Sequence, residues 1–133
     1  MRYLLDTNTV SALMKGHAAV ADRIVGSARD DVAICQVTAA EIEFGLKYLP
    51  TSKRRSLLRD QWNIVGEELP RLVWDDEVSR VFGERKAQLE RRGKRMSDFD
   101  LAIAAHAIAF DLIVVTADAA FERLRLRHEN WLS

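Results

Sequence analysis

Four carboxylates, Asp6, Glu41, Asp100 and Asp118, each stand at the edge of an apolar segment, where a strand should end or a helix begin. The sequence gives none of them an obvious basic partner. Carboxylates drawn together at the rim of a core repel one another and take up protons unless a cation neutralises them. A divalent metal does that best. All-oxygen ligation suits a hard ion such as Mg²⁺ or Mn²⁺, and the chain has no Cys/His cluster or His-Glu-x-x-His helix to suggest zinc. Thr7, Asn8 and Thr116 offer neutral oxygens beside the acids.

Each acid also has a purely structural explanation. Thr38-Ala39-Ala40-Glu41 and Ser97-Asp98-Phe99-Asp100 match the capping box, in which the acid reaches back to the first amide of a helix. Asp118 suits the N-cap of a short helix carrying Phe121 and Leu124, and Asp6 suits an Asx-turn after the first strand. The two readings are compatible, because helix N-termini in a parallel α/β sheet lie near the strand ends where ligands bind.

The elements that must position these residues are read from periodicity. Tyr3-Leu4-Leu5, Val32-Ala33-Ile34-Cys35, Leu72-Val73-Trp74 and Leu112-Ile113-Val114-Val115 are short apolar runs of the kind found in buried parallel strands, and a weak fifth strand falls near Leu126-Arg127-His128. Helical spacing covers Thr38 to Tyr48, Ser52 to Val65, Asp76 to Arg91 and Asp98 to Phe110. Such alternation predicts an α/β fold: an open, mostly parallel sheet of four to five strands with helices on both faces. Its functional crevice lies beyond the carboxyl ends of the strands.

At 133 residues, 48% hydrophobic and 30% charged, the chain is expected to form one domain over 1–133. The formal net charge is zero, so nucleic-acid binding must rely on local patches. The one cysteine, Cys35, lies in an apolar run and reads as a buried thiol. No apolar span reaches membrane-crossing length, and Asp6 comes too early for a secretory signal, so no membrane partner and a cytoplasmic setting are expected.

Arg91-Arg92-Gly93-Lys94-Arg95 is the densest basic stretch and directly precedes the Asp100 helix. Positive charge there would offset repulsion of a phosphate backbone by the acids, which makes Arg92, Lys94 and Arg95 candidate nucleic-acid contacts. His106 sits among alanines and reads as a packed histidine rather than a general base. Trp62 and Trp74 read as core residues. The helix surface around Ile42, Leu46, Leu57 and Leu58 has more apolar area than one small core needs and suits a protein partner.

Four segments together resemble the successive motifs of PIN-domain nucleases: Leu4-Leu5-Asp6-Thr7-Asn8, Thr38 to Leu46, Asp98 to Ala107, and Val114 to Phe121. The closing Leu126-Arg127-His128-Glu129-Asn130-Trp131 resembles the tail of VapC-type toxins of bacterial toxin–antitoxin pairs. The resemblance spans nearly the whole chain in the expected order. It implies a three-layer α/β/α sandwich, a Mg²⁺- or Mn²⁺-dependent endoribonuclease leaving 5′-phosphate and 3′-hydroxyl ends, and a homodimer. It also implies a cognate antitoxin whose tail blocks the site, with operator DNA reached only through that antitoxin. Carried over by residue, it makes Asp6, Glu41, Asp100 and Asp118 the acidic quartet, with Asn8 and Thr116 in support. Asp98 competes with Asp100, since residues two apart do not share a helix face; the Asp-Leu-x-Ile-Ala-Ala register favours Asp100.

Other readings remain at this level: an RNA-processing nuclease outside any toxin–antitoxin pair, or a binding module with weak catalysis. A phosphoacceptor receiver domain fits poorly, because Leu72-Val73-Trp74 runs into Asp75-Asp76 and no lysine follows Thr116-Ala117-Asp118.

Overall fold

The computed structural model describes residues 1–133 throughout. Five strands, β1 (Tyr3–Leu5), β2 (Val32–Cys35), β3 (Arg71–Leu72), β4 (Ile113–Val115) and β5 (His128–Glu129), form one sheet in the order β3-β2-β1-β4-β5. Every pairing is parallel. Six helices connect them: α1 (Thr7–Met14), α2 (Ala18–Val25), α3 (Gln36–Tyr48), α4 (Lys53–Glu68), α5 (Asp76–Arg91) and α6 (Asp98–Ala109). A single 3₁₀ turn, Ala119–Arg123, follows β4.

The two-residue period of the strands divides the core. Tyr3, Leu5, Val32, Ile34 and Val115 face a cluster shared with Val10, Val20, Ile42, Leu46 and Trp62, which come from α1 to α4. Leu4, Ala33, Cys35 and Val114 face the opposite cluster, built with Leu89, Leu101, Ile103 and Phe121. The central strands β1, β2 and β4 are thus covered on both faces, and the three layers follow. Seven consecutive α6 residues, Leu101 to Ala107, are buried, because this helix lies between the sheet and α5. Its Ala105 packs against Val78 and Val81 of α5.

Several sequence expectations change. Thr7 to Val25 carries two helices that the strand-and-turn reading of this region missed; Val10, Leu13 and Met14 have helical spacing, but α1 is only 8 residues long. Asp6 therefore caps a helix instead of closing an isolated turn. Helix α3 starts at Gln36, so Thr38 and Glu41 lie inside it and form no capping box. The third strand stops at Leu72, leaving Trp74 42% exposed, where it lies against Phe82 and His106 and donates to Ser79 Oγ at 2.7 Å. Ile42 and Leu46 belong to the core; of that surface only Leu57 is strongly exposed. The sheet is wholly parallel with five strands, and the last begins at His128. Trp62 and Cys35 are buried as expected.

Phe121 is fully buried and anchors the 3₁₀ turn after β4. Replacing it with alanine should cost about 3–5 kcal/mol through lost transfer energy and a cavity. Urea denaturation of Phe121→Ala against the parent chain measures this, and a loss under about 1 kcal/mol would contradict the packing described.

Candidate metal centre

The chain runs from β1 outward to β2 and β3, then returns to the other side of β1 to form β4. Strand order therefore reverses between β1 and β4, and the carboxyl ends of these neighbours border the crevice that such a reversal opens. Asp6 directly follows β1, and Thr116 directly follows β4. The Asp6 amide donates to the Val115 carbonyl at 3.0 Å, which pins the acid to the neighbouring strand end. One of its carboxylate oxygens accepts from the Thr9 amide at 2.9 Å, while the Thr9 hydroxyl donates to Val115 O at 3.1 Å. Asp6 is only 4% exposed, yet one carboxylate oxygen has no protein donor.

Asp118 reaches the same region through a different local device. Its amide donates to Thr116 Oγ1 at 3.0 Å, and its Oδ1 accepts from the Ala120 amide at 2.8 Å, capping the 3₁₀ turn. Thr116 is buried and its own amide donates to Glu129 O, so β5 fixes the base of this loop. Asp100 stands in the first turn of α6, where its amide donates to the Ser97 N-cap hydroxyl at 3.1 Å. Burial raises the pKa of its carboxyl above the ordinary value; Ser97 opposes this, and the charges of Asp118 and Asp6 add to it. That mutual repulsion puts Asp6, Asp100 and Asp118 within one electrostatic neighbourhood.

Glu41 enters from α3, held by the Thr7 hydroxyl, which donates to its Oε1 at 2.6 Å. Thr7 also contacts buried Thr38 at 3.3 Å, so the residue beside Asp6 ties α1 to α3. Asn8 is exposed and lines a groove with Glu41. Glu43, two residues on, is engaged elsewhere: Arg59 at 2.8 Å and Trp62 Nε1 at 3.0 Å hold it against α4. Arg59 is the main cause of its lowered pKa.

The side chains as placed bring no three acidic, histidine or cysteine groups close enough to cage an ion. The donor chemistry nevertheless fits a hard divalent cation. The set is all oxygen, Asp6, Glu41 and Asp118 each keep an uncommitted carboxylate oxygen, and Asp100 sits in the field of two like charges without a cationic partner.

A family model for the PIN domain matches residues 3–126. The chain is 33% identical over 124 residues to the VapC ribonuclease Y4jK of Sinorhizobium fredii, covering 88% of this chain and 87% of that protein. This chain belongs to the PIN-domain family. Within that family it falls among the VapC ribonucleases. Its fold is similar to the solved structure of VapBC2 from Rickettsia felis bound to a promoter DNA fragment, with a TM-score of 0.87 at 28% identity, covering 98% and 99% of the two chains. DNA-bound VapBC from Salmonella typhimurium gives 0.85 at 26% identity, covering 98% of each chain. These relatives are VapBC toxin–antitoxin complexes.

In this PIN-domain chain the Asp98 and Asp100 carboxylates separate cleanly. Asp98 is exposed and paired with Lys86 of α5 at 2.9 Å, whereas Asp100 has no cationic partner and lies in the field of Asp118 and Asp6. His106 is fully buried, with Nδ1 2.7 Å from the Ala102 carbonyl and Nε2 unpartnered, so it has no access to a substrate. Desolvation pushes its pKa down. The three candidate RNA contacts border two cavities. Gly93, at φ 66°, turns the chain out of α5, leaving Arg92 beside one cavity while Lys94 and Arg95 border another with Glu90 and Asp98.

Asp100 binds protons more readily in the native chain than in the unfolded one, so its contribution falls as pH rises through the native pKa. In metal-free buffer near neutral pH, Asp100→Asn should melt at a higher temperature than the parent. The gap should close as pH falls through the raised native pKa toward the unfolded value of about 3.9. Asp98→Asn, which loses only an exposed ion pair, should gain nothing. Thermal melts across this range check both, and a gain confined to Asp98→Asn would reverse the assignment.

Proposed function

We propose that this chain is a metal-dependent endoribonuclease, the toxin of a toxin–antitoxin pair, whose acids Asp6, Glu41, Asp100 and Asp118 hold Mg²⁺ or Mn²⁺. The observation that carries the reading is the electrostatic neighbourhood of Asp6, Asp100 and Asp118 beside the β1/β4 reversal, in a chain of the VapC ribonuclease branch. When bound, the cation supplies Lewis acidity to a water and to the scissile phosphodiester.

The chain's own residues supply position. Backbone amides of Thr9 and Ala120 fix one oxygen each of Asp6 and Asp118, and the Thr7 hydroxyl orients Glu41. Thr116 holds the Asp118 loop, and Asn8 stands at the groove mouth as a polar contact. No buried histidine or other base is needed, since His106 is out of reach. Water, rather than the RNA 2′-hydroxyl, is the nucleophile in this reading, which gives 5′-phosphate and 3′-hydroxyl ends.

As partners we propose a cognate antitoxin, a second copy of the chain in a homodimer, and operator DNA reached through the antitoxin. The solved VapBC complexes, bound to DNA, support the antitoxin and operator assignments, and the homodimer rests on the family resemblance. No helix is long and apolar enough to cross a membrane, and we assign the protein to the cytoplasm.

Asp6→Asn keeps an N-cap acceptor for α1 and should fold as the parent does while losing Mg²⁺- or Mn²⁺-dependent RNA cleavage. Sequencing of cleaved ends checks the 5′-phosphate assignment, and full activity in Asp6→Asn would refute the site. Thr7→Val, which frees Glu41, should lower metal affinity or activity by about 10–100-fold. Titration of activity against Mn²⁺ measures it.

A further inference from the structure

Five arginines converge on a cavity of about 390 Å³ outside the acidic crevice. Arg85, Arg91 and Arg92 come from α5 and its C-cap, and Arg123 and Arg125 come from the segment after β4, with Gln88 between them. No carboxylate lines the cavity. None of the five takes part in any of the ion pairs of the molecule. The chain as a whole balances 20 basic against 20 acidic residues, so this local excess is uneven placement rather than overall basicity.

A guanidinium does not deprotonate in proteins, so five neighbours cannot relieve their repulsion by titrating. The negative end of the α5 dipole accounts for Arg91 and Arg92. It does not account for Arg85, a turn and a half earlier, or for the two arginines beyond β4. An anion with several oxygens, met by planar bidentate donors, satisfies all of them.

The segments that line this cavity are continuous along the chain with those that carry two of the acids. Arg123 ends the 3₁₀ turn that Asp118 caps, about 10 Å away at the rise of such a turn. Its Nη1 donates to the Arg95 carbonyl, and Arg95 lies two residues before Ser97, the N-cap of the helix bearing Asp100. We propose that the arginine cavity binds the phosphate backbone of the RNA strand on one side of the bond that meets the acids. It holds several phosphates of one chain and offsets the repulsion the strand meets in the crevice. The identity of the strand rests on the ribonuclease reading above. Sequence reading singled out the stretch holding Arg91 and Arg92, with Arg92 as a named contact, but not Arg85, Arg123 or Arg125, because the five are spread over forty residues and only the fold unites them.

The test uses the full chain with Asp6→Asn, so that RNA survives, and fluorescein-labelled oligouridylate as the probe. Affinity is measured across a salt series with and without Arg85→Gln, Arg92→Gln and Arg125→Gln together; Arg123 is left intact because it bonds the backbone. A control variant, Arg29→Gln, Lys47→Gln and Lys53→Gln, removes the same charge elsewhere. Three lost contacts at about 0.7 each should flatten the slope of log affinity against log salt by about 2, with about 100-fold weaker binding at about 0.1 M salt. The control should keep the parent slope, and circular dichroism should match throughout. Parallel slopes for cavity variant and parent would overturn the proposal. So would equal flattening by the control, or a loss confined to DNA binding by the antitoxin complex. Cleavage by the unaltered chain, measured separately, decides the ribonuclease reading; the slopes decide this one.

Discussion

Like charges held together at the edge of a parallel sheet need a frame stiff enough to resist their repulsion. Asp6, Asp100 and Asp118 lie on three separate segments, and partial burial makes the Asp100 carboxylate costlier than it would be in water. What holds them is main-chain hydrogen bonding. The Asp6 amide is tied to Val115, the Asp118 carboxylate to the Ala120 amide, and the Asp100 amide to the Ser97 cap. Each of these residues is therefore also a piece of secondary structure, so their backbones cannot move apart without disturbing a helix end or a strand end.

That dependence runs back into the core. The pairing of β1 with β4 sets Asp6 beside Thr116, and Leu4, Leu5, Val114 and Val115 are buried on both faces of that pair. Phe121 packs beneath the 3₁₀ turn and anchors the backbone that carries the exposed Asp118. On the other side, the Thr7–Glu41 and Thr7–Thr38 contacts couple α1 to α3, bringing a fourth acid from a helix that the sheet alone would not aim. The arginines of α5 and its C-cap and of the segment after β4 gather at a separate cavity; that last segment also carries Asp118, and α5 leads into the helix that carries Asp100.

Much of this was legible in the sequence, for identifiable reasons. Continuous apolar runs marked buried parallel strands, and Ser97 marked the start of α6 because a cap has a local signature. Helix α1 was missed since eight residues beginning Thr-Asn-Thr look like a loop when read without their partner strand. The capping box at Thr38 failed because α3 begins earlier, directly from β2, with Cys35 making no side-chain cap. Trp74 left the core because β3 is an edge strand of only two residues. Between Asp98 and Asp100 the local register favours Asp100, but the sequence shows no reason why Asp98 should be engaged elsewhere. That reason is Lys86, a helix away, pairing with Asp98 and leaving Asp100 in the field of the acids.

The most direct test of the central claim is anomalous diffraction from crystals of the full chain grown with Mn²⁺. The account predicts an anomalous peak between Asp6, Asp100 and Asp118, with Glu41 on its α3 side. A peak at Asp98 and Lys86 instead, or none among the acids at saturating Mn²⁺, would contradict it.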